Sequence, residues 1–197
     1  MHKEFNLANR HKNFDKKVYD IVRKQDVVFV ENLATPEARR VYNWNRQVAG
    51  CYQRSRAFCR MKISKHSIVY CSIDPEHFVE DLVARWFLSR FPMFTIMVES
   101  KRGTFVISKT TDLVIYDKKI DELLPEFEKI MPENSILSDL TEFDEDSVWE
   151  GYYDSQFIKE RKNKKYFLKN IPKKFHNWGS LKVEKEKFRK DIRLDEF

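Results

Sequence analysis

The longest amphipathic stretch of the chain begins at Pro36, where apolar positions follow a helical spacing. Thr35 is a typical N-cap, and Pro36 suits the first helical position because its missing backbone N–H would be unpaired there anyway. One side of this predicted helix is apolar and consists of Val41, Trp44, Val48, Cys51, Tyr52 and Ser55. The opposite side is basic and carries Arg39, Arg46 and Arg54. We therefore expect a helix with its apolar side in the core.

Strand-like alternation and a second helix follow. Residues 58–73 predict two strands around a polar turn at 64–67. Asp74 and Pro75 then predict the cap and the start of a helix that ends before Pro92. Its predicted buried face comprises Phe78, Val79, Leu82, Val83, Trp86 and Phe87.

A β-hairpin is predicted next, formed by residues 94–100 and 104–109. Lys101 and Arg102 give it a basic tip, and Gly103 supplies the positive φ that such loops need. Residues 112–117 suggest a shorter strand at the edge of the sheet.

The remaining segments are assigned from weaker patterns. Residues 1–25 are polar and suggest a loosely ordered arm or a short helix, and the apolar run 27–31 suggests a short strand. Residues 120–131 predict an acidic helix, and residues 134–146 an acidic loop.

The final third of the chain is predicted to be helical. Its aromatic face consists of Trp149, Tyr152, Tyr153 and Phe157, and the helical pattern breaks at Pro172. Because hairpin-like neighbours outnumber strand–helix–strand units, the fold class is α+β, with an antiparallel sheet packed by amphipathic helices. We expect an N-terminal arm over 1–31, one α+β domain over 32–181 and a charged tail over 182–197.

Charge is distributed unevenly over the chain, whose net charge is +6. Residues 159–190 carry thirteen Lys or Arg, whereas residues 121–146 carry ten Asp or Glu and only Lys129 as a cation. Separate basic and acidic surfaces favour nucleic acid as a partner of the basic one. The predicted phosphate contacts are Arg54, Arg56, Arg60, Lys101, Arg102, Arg161, Lys164, Lys165, Lys173 and Lys174. Aromatic residues among them could stack on unpaired bases, and the pattern does not distinguish DNA from RNA.

Other chemistry receives little support from the sequence. Cys51, Cys59 and Cys71 have neither C-x-x-C spacing nor a nearby set of histidines that would complete a tetrahedral zinc site, so we predict free thiols and no metal. A phosphate-binding glycine loop is missing, and we predict no cofactor. The chain contains no apolar run of membrane-spanning length and no apolar signal core, so we expect a cytoplasmic protein without a membrane partner.

Three stretches of the chain together resemble domain-of-unknown-function family 4130. The first joins Asn32-Leu33-Ala34 to Phe58-Cys59-Arg60-Met61. The second contains Tyr70, Ile73, Pro75 and His77, followed by Arg90-Phe91 and the Lys101-Arg102-Gly103 tip. The third and most specific comprises Trp149, Tyr152, Tyr153, Ile158, Glu160, Arg161, Asn163, Pro172, Lys174 and Phe175. The resemblance covers roughly residues 32–181.

The resemblance implies a role in DNA metabolism. Members of the family are described as probable DNA metabolism proteins that occur alone or joined to a uracil-DNA glycosylase domain and are associated with a radical-SAM partner. A Glu and a His typical of the family fall on Cys51 and Gln53 here, which weighs against chemistry by that pair.

Three side chains are candidates for acid–base chemistry, each with a structural alternative. Glu160 shares a predicted helix face with Trp149 and Tyr153, and a half-buried carboxylate there is either an ion-pair member or a general acid or base. Asp74 is either a helix cap or a catalytic carboxylate. His77 is either a surface histidine in the first helical turn or a group that polarises a substrate.

The leading hypothesis is a DNA repair or modification protein that binds the nucleic-acid backbone. One alternative is a glycosylase-like or nuclease-like enzyme using Glu160 with Asp74 or His77. Another is a protein-interaction subunit that docks a basic partner through the acidic segment 121–146.

Overall fold

A computed structural model of the chain describes residues 5–135 and 164–170. The helices are α1 (Lys16–Arg23), α2 (Val27–Glu31), α3 (Pro36–Phe58), α4 (Glu80–Arg90), α5 (Ile120–Ile130) and α6 (Lys164–Asn170), and a 3₁₀ helix precedes them at Ala8–Arg10. The strands are β1 (Lys62–Ser64), β2 (Ile68–Ser72), β3 (Thr95–Ser100), β4 (Gly103–Ile107) and β5 (Val114–Tyr116). This mixed α+β architecture confirms the predicted fold class.

The five strands form one sheet in the order β1-β2-β3-β4-β5. Neighbouring strands are antiparallel, except that β2 and β3 run parallel. A parallel pair requires a crossover, and α4 supplies it by lying between β2 and β3 in the chain. The prediction of an antiparallel sheet is therefore confirmed for three of the four pairings.

Helices cover both faces of this sheet. On one face Val69, Cys71, Ile96, Val98 and Phe105 belong to the main core, which also contains residues of α3 and α4. On the other face α5 packs over a smaller core that includes Ile68, Met97 and Val106. The first amide of α5, Ile120 N–H, donates to the Glu99 carboxylate at 2.7 Å, which fixes the start of that helix on the sheet.

Helix α3 begins as its sequence predicts. Thr35 Oγ1 accepts from Ala38 N–H at 3.2 Å, and Pro36 occupies the first helical position. Over its 23 residues the helix is about 34 Å long. Of the predicted apolar side, Val41, Trp44, Val48, Cys51 and Ser55 are buried, whereas Tyr52 is half-buried.

The N-terminal segment differs from its prediction. Residues 27–31 form helix α2 and not a strand, because Asp26 caps the turn by accepting from Val28 N–H at 2.8 Å. Residues 5–24 contain the predicted short helix, α1, but the segment is not loosely ordered. It contributes to a second core, which we call the N-terminal core and which consists of Phe5, Ala8, Val22, Val30, Val41 and Trp44.

Helix α4 begins later than its sequence predicts. Its N-cap is Val79, so neither Asp74 nor Pro75 starts the helix, and His77 precedes it instead of lying in its first turn. Phe78 is exposed, contrary to its predicted place on the buried face. The predicted end before Pro92 is confirmed at Arg90.

Two further predictions are confirmed, and others lie outside the described residues. The hairpin β3–β4 has Gly103 at φ 112°, and β5 is an edge strand. Helix α6 agrees with the predicted helical final third, whereas the aromatic face 149–157 and the tail 182–197 are outside the described part. Among the described residues, no helix combines the length and apolar character needed to span a membrane.

Candidate functional site

The segment that leads from β2 into the first turn of α4 is acidic, and each of its four carboxylates pairs with a cation from another segment. We call residues 74–81 the acidic connection. Its ion pairs are Lys101 with Asp74 at 2.6 Å, Lys12 with Glu76 at 2.7 Å, Arg102 with Glu80 at 2.5 Å and Arg10 with Asp81 at 2.5 Å. The acidic connection is thus held by the N-terminal segment and by the tip of the β3–β4 hairpin.

The pair formed by Glu80 and Arg102 is the most buried of the four. The Glu80 side chain is only 2% exposed and Arg102 is 31% exposed. Arg102 also donates from Nη1 to the His77 carbonyl at 3.4 Å, and its guanidinium lies 4.4 Å from the centroid of the Phe78 ring. A buried carboxylate needs such a cation, and its place in the first turn of α4 adds the favourable helix dipole.

These contacts decide what the basic hairpin tip can do. Lys101 and Arg102, predicted as phosphate contacts, are both neutralised by carboxylates of the acidic connection. A phosphate at Arg102 would have to displace the buried Glu80 carboxylate, whereas Lys101, which is 81% exposed, could exchange Asp74 for a phosphate at little cost. The tip therefore joins the hairpin to the start of α4.

Two buried histidines lie beside the acidic connection. The ring centroids of His11 and His77 are 4.4 Å apart, and the His11 ring also stacks on the Trp44 ring. His11 Nδ1 accepts from Asn13 N–H at 3.1 Å, while Nε2 lies 2.8 Å from Gln47 Oε1 and donates to it in the neutral tautomer. His77 Nδ1 accepts from Lys12 N–H at 3.4 Å. Both imidazoles anchor the N-terminal segment.

The three candidate acid–base residues are not assembled into a site by the described part of the chain. Asp74 is held by Lys101, and His77 is buried against His11. Glu160 lies outside the described residues. Within residues 5–135 and 164–170, no group of three or more His, Cys, Asp or Glu side chains could hold a metal ion.

Two arginines and two aromatic residues form a different cluster, where α3 meets α4. We call Tyr52, Arg56, Trp86 and Arg90 the arginine stack. The Arg56 guanidinium lies 4.5 Å from the Tyr52 ring centroid and 4.9 Å from that of Trp86, and Arg90 lies 5.2 Å from the same Trp86 centroid. Arg56 also donates to Gln53 Oε1, and its Nε is buried without a hydrogen-bond acceptor among the described residues.

The arginine stack contains no carboxylate among the described residues, unlike the ion pairs of the acidic connection. In the described part of the chain, Arg56 and Arg90 take part in no ion pair, whereas the cations at the acidic connection all do. Two positive charges share one indole ring there. Such an uncompensated pair of guanidinium groups is suited to an anion.

The other predicted phosphate contacts are dispersed. Arg54 and Arg56 are two positions apart on α3, which places them on opposite flanks of the helix, and the Arg54 side chain lies over Gly50. Arg60 is exposed just after α3. Lys164 and Lys165 lie in α6, and Arg161, Lys173 and Lys174 are outside the described residues. Of the ten predicted contacts, the arginine stack contains Arg56 alone.

The sequence contains a local signal for the arginine stack. Tyr52 with Arg56 and Trp86 with Arg90 are each four residues apart, the spacing that brings side chains together on a helix surface. What sequence does not show is that the two pairs meet. Glu80 and His11 were missed because their partners are far away in the chain.

The three cysteines are free and buried, as predicted. A hydrogen bond with Cys59, together with burial, raises the pKa of the Cys71 thiol well above its usual range. Cys51 packs in the main core and Gln53 is exposed, so the two positions where the family's Glu and His fall have different surroundings. At the β1–β2 turn, the Lys65–Glu133 pair raises the pKa of Lys65 and lowers that of Glu133.

Comparison with models of known protein families identifies the family to which the chain belongs. The model of DUF4130, a domain of unknown function, matches residues 12–181. The chain belongs to the DUF4130 family. The match begins ahead of α1, so the DUF4130 domain includes the segment that packs on α3, together with the acidic connection and the arginine stack. No curated protein and no solved structure matches the chain.

Proposed function

We propose that this DUF4130 protein binds the phosphate backbone of nucleic acid, with the arginine stack as its principal contact, and acts in DNA metabolism. The observation that carries the proposal is the pair of guanidinium groups at Trp86 that no described carboxylate neutralises. A phosphate between or beside them would supply the missing negative charge.

The stacked geometry suits this ligand. When an arginine stacks on an aromatic ring, the contact between the flat guanidinium and the ring face fixes the orientation of the guanidinium. The N–H groups at the edge of the guanidinium remain directed outward in its own plane. Holding Arg56 between Tyr52 and Trp86 therefore lowers the entropy lost when a phosphate is bound. Phosphate contacts of this kind fix position and do not select a base sequence.

The resemblance to DNA metabolism proteins supports DNA as the nucleic acid. It also supports a uracil-DNA glycosylase or radical-SAM protein as an associated partner. RNA uses the same phosphate chemistry, so the binding experiment includes it.

The two other functional hypotheses gain less from the geometry. For an enzyme, Asp74 and His77 offer no accessible pair, because one is held by Lys101 and the other is buried. For docking through the segment 121–146, part of the acidic charge is already used: Glu126 pairs with Lys118, and Glu128 accepts from Ser64.

The test is titration of a fluorescent single-stranded DNA, a duplex and an RNA with the full chain at several salt concentrations. The double variant Arg56→Gln/Arg90→Gln should weaken binding to every sequence alike. It should also reduce the salt slope on single strands by about 0.7 for each lost phosphate contact. Lys16→Gln/Lys17→Gln is the matched control, since it removes the same charge from exposed positions on α1.

The two variants separate a specific surface from overall charge. Equal losses in both would mean that net charge alone drives binding, and the arginine stack would have no special role. A parental chain that binds none of the three nucleic acids at low salt contradicts the proposal outright. Thermal melting of each variant verifies that its fold is intact.

A further inference from the structure

The outer edge of β5 carries exposed apolar side chains and no protecting charge within the strand. Val114 and Ile115 are 39% and 56% exposed. The opposite edge of the sheet is different, because β1 begins at Lys62 and the turn after it is bound by Glu133 and Asn134. Natural sheets usually block an edge with lysine, proline or a covering segment; Val114–Tyr116 contains neither lysine nor proline, and the described residues around it leave Ile115 56% exposed.

The register of the sheet shows which backbone groups of β5 point outward. Ser100 pairs with Gly103 across the two-residue hairpin loop, so hydrogen-bonded and non-hydrogen-bonded pairs alternate from there. On β4, Thr104 and Val106 therefore bond to Tyr116 and Val114. Consistent with this, a Cβ added at Gly103 would lie 2.6 Å from the Tyr116 carbonyl oxygen. The Ile115 N–H and C=O then point away from β4, and no described residue bonds to them.

The outward edge is complementary to itself. If a second copy runs antiparallel with Ile115 opposite Ile115, then Val114 of each copy lies opposite Tyr116 of the other. Asp112 precedes β5 and Lys118 follows it, so an antiparallel arrangement brings opposite charges of the two copies to each end of the paired strands. In one copy Lys118 is held by Glu126, but both groups of that pair are about half exposed, so exchanging partners costs little.

We propose that two copies of this chain pair through β5 about a twofold axis at Ile115. The pairing joins two five-stranded sheets into one of ten strands. It buries the two Ile115 side chains against each other on the face that carries Phe105. Only a short strand contributes, so the dimer forms at high protein concentration and dissociates on dilution. This inference is independent of the proposed nucleic-acid binding.

Sedimentation velocity of the full chain over a range of concentrations tests the pairing. The parental mass should rise from one chain toward two. Ile115→Pro should remain a single chain, because it removes the central N–H donor without removing a bond to β4. Ile115→Thr keeps that donor and a β-branched side chain, and should still dimerise. Ile115→Lys replaces the proline variant if that variant loses its thermal transition, and it should also remain single.

Disulfide trapping tests the register. Residues in a hydrogen-bonded antiparallel pair have Cα atoms about 5.5 Å apart, within disulfide range. Mild oxidation of Ile115→Cys should therefore yield a covalent dimer, whereas Val114→Cys, whose partner would be Tyr116, should not. A parental chain of one-chain mass at all concentrations up to its solubility limit overturns the proposal and leaves the edge to another partner. Dimerisation of Ile115→Pro, or equal trapping of both cysteine variants, also overturns it.

Discussion

Removing the two members of the Glu80–Arg102 pair should have unequal effects on stability. Arg102→Ala leaves a carboxylate that is 2% exposed without its cation, and this should lower the free energy of unfolding by about 3–5 kcal/mol. Glu80→Gln should cost less, about 1–2 kcal/mol, for two reasons. Its amide can still accept from Arg102, and Arg102, 31% exposed, remains within reach of water.

The double variant carries the sharpest expectation. Glu80→Gln/Arg102→Ala removes the uncompensated charge, so it should be more stable than Arg102→Ala alone, even though it carries one more substitution. Lys101→Ala is the control from the same hairpin tip. Its partner Asp74 is exposed and Lys101 is 81% exposed, so the change should be small.

Urea denaturation at neutral pH measures these differences through the midpoint, provided that the slope is unchanged. A loss of 3 kcal/mol in a chain of this size corresponds to a fall in Tm of about 6–12 °C. The reasoning is refuted if Glu80→Gln costs as much as Arg102→Ala. It is also refuted if the double variant is the least stable of the three.

Three further predictions concern other contacts. Gly103→Ala should destabilise the chain by more than about 1 kcal/mol in urea denaturation, because φ is 112° and the new Cβ would meet the Tyr116 carbonyl; an unchanged midpoint would contradict this. Thr35→Ala should cost about 1 kcal/mol by the same measurement, since the Ala38 N–H loses its acceptor, and Thr35→Ser should restore most of it. Because its pKa is raised, the buried Cys71 thiol stays protonated at neutral pH and should react with an aromatic disulfide reagent only after unfolding; fast labelling of Cys71 in the native chain would show otherwise.

Sequence patterns predicted the fold well for elements whose structure depends on residues close together in the chain. The cap at Thr35, the basic hairpin tip before Gly103 and the acidic helix α5 depend on residues a few positions apart, and all are confirmed. Prediction was wrong where a distant contact decides the outcome. Asp74 resembles a helix cap in sequence, but its carboxylate accepts from Lys101 of the hairpin, and α4 begins after Val79 instead.

The segment 27–31 shows a different reason for error. Three valines and a phenylalanine favour a strand by propensity, yet they form α2. The Asp26 cap and the burial of Val30 in the N-terminal core outweigh that preference. Strand propensity alone could not show that Val30 would be buried in a neighbouring core.

The candidate site was predictable only in part for a related reason. A run of basic residues reveals the number of cations but not which of them are neutralised. The structure pairs Lys101 and Arg102 with carboxylates and leaves Arg56 beside an aromatic ring of another helix. Ion pairs between distant parts of the chain, and not the number of basic residues, therefore decide which cations are candidate phosphate contacts.

Helix α3 is shared by two cores, and this has a consequence for local unfolding. Its first half contributes Val41 and Trp44 to the N-terminal core, and its second half contributes Val48 and Cys51 to the main core. Because each core is a compact cluster, each half of the helix should open with the elements it packs against. Amide hydrogen exchange along α3 should therefore fall into two protection classes that divide between Trp44 and Val48, although the helix itself is unbroken.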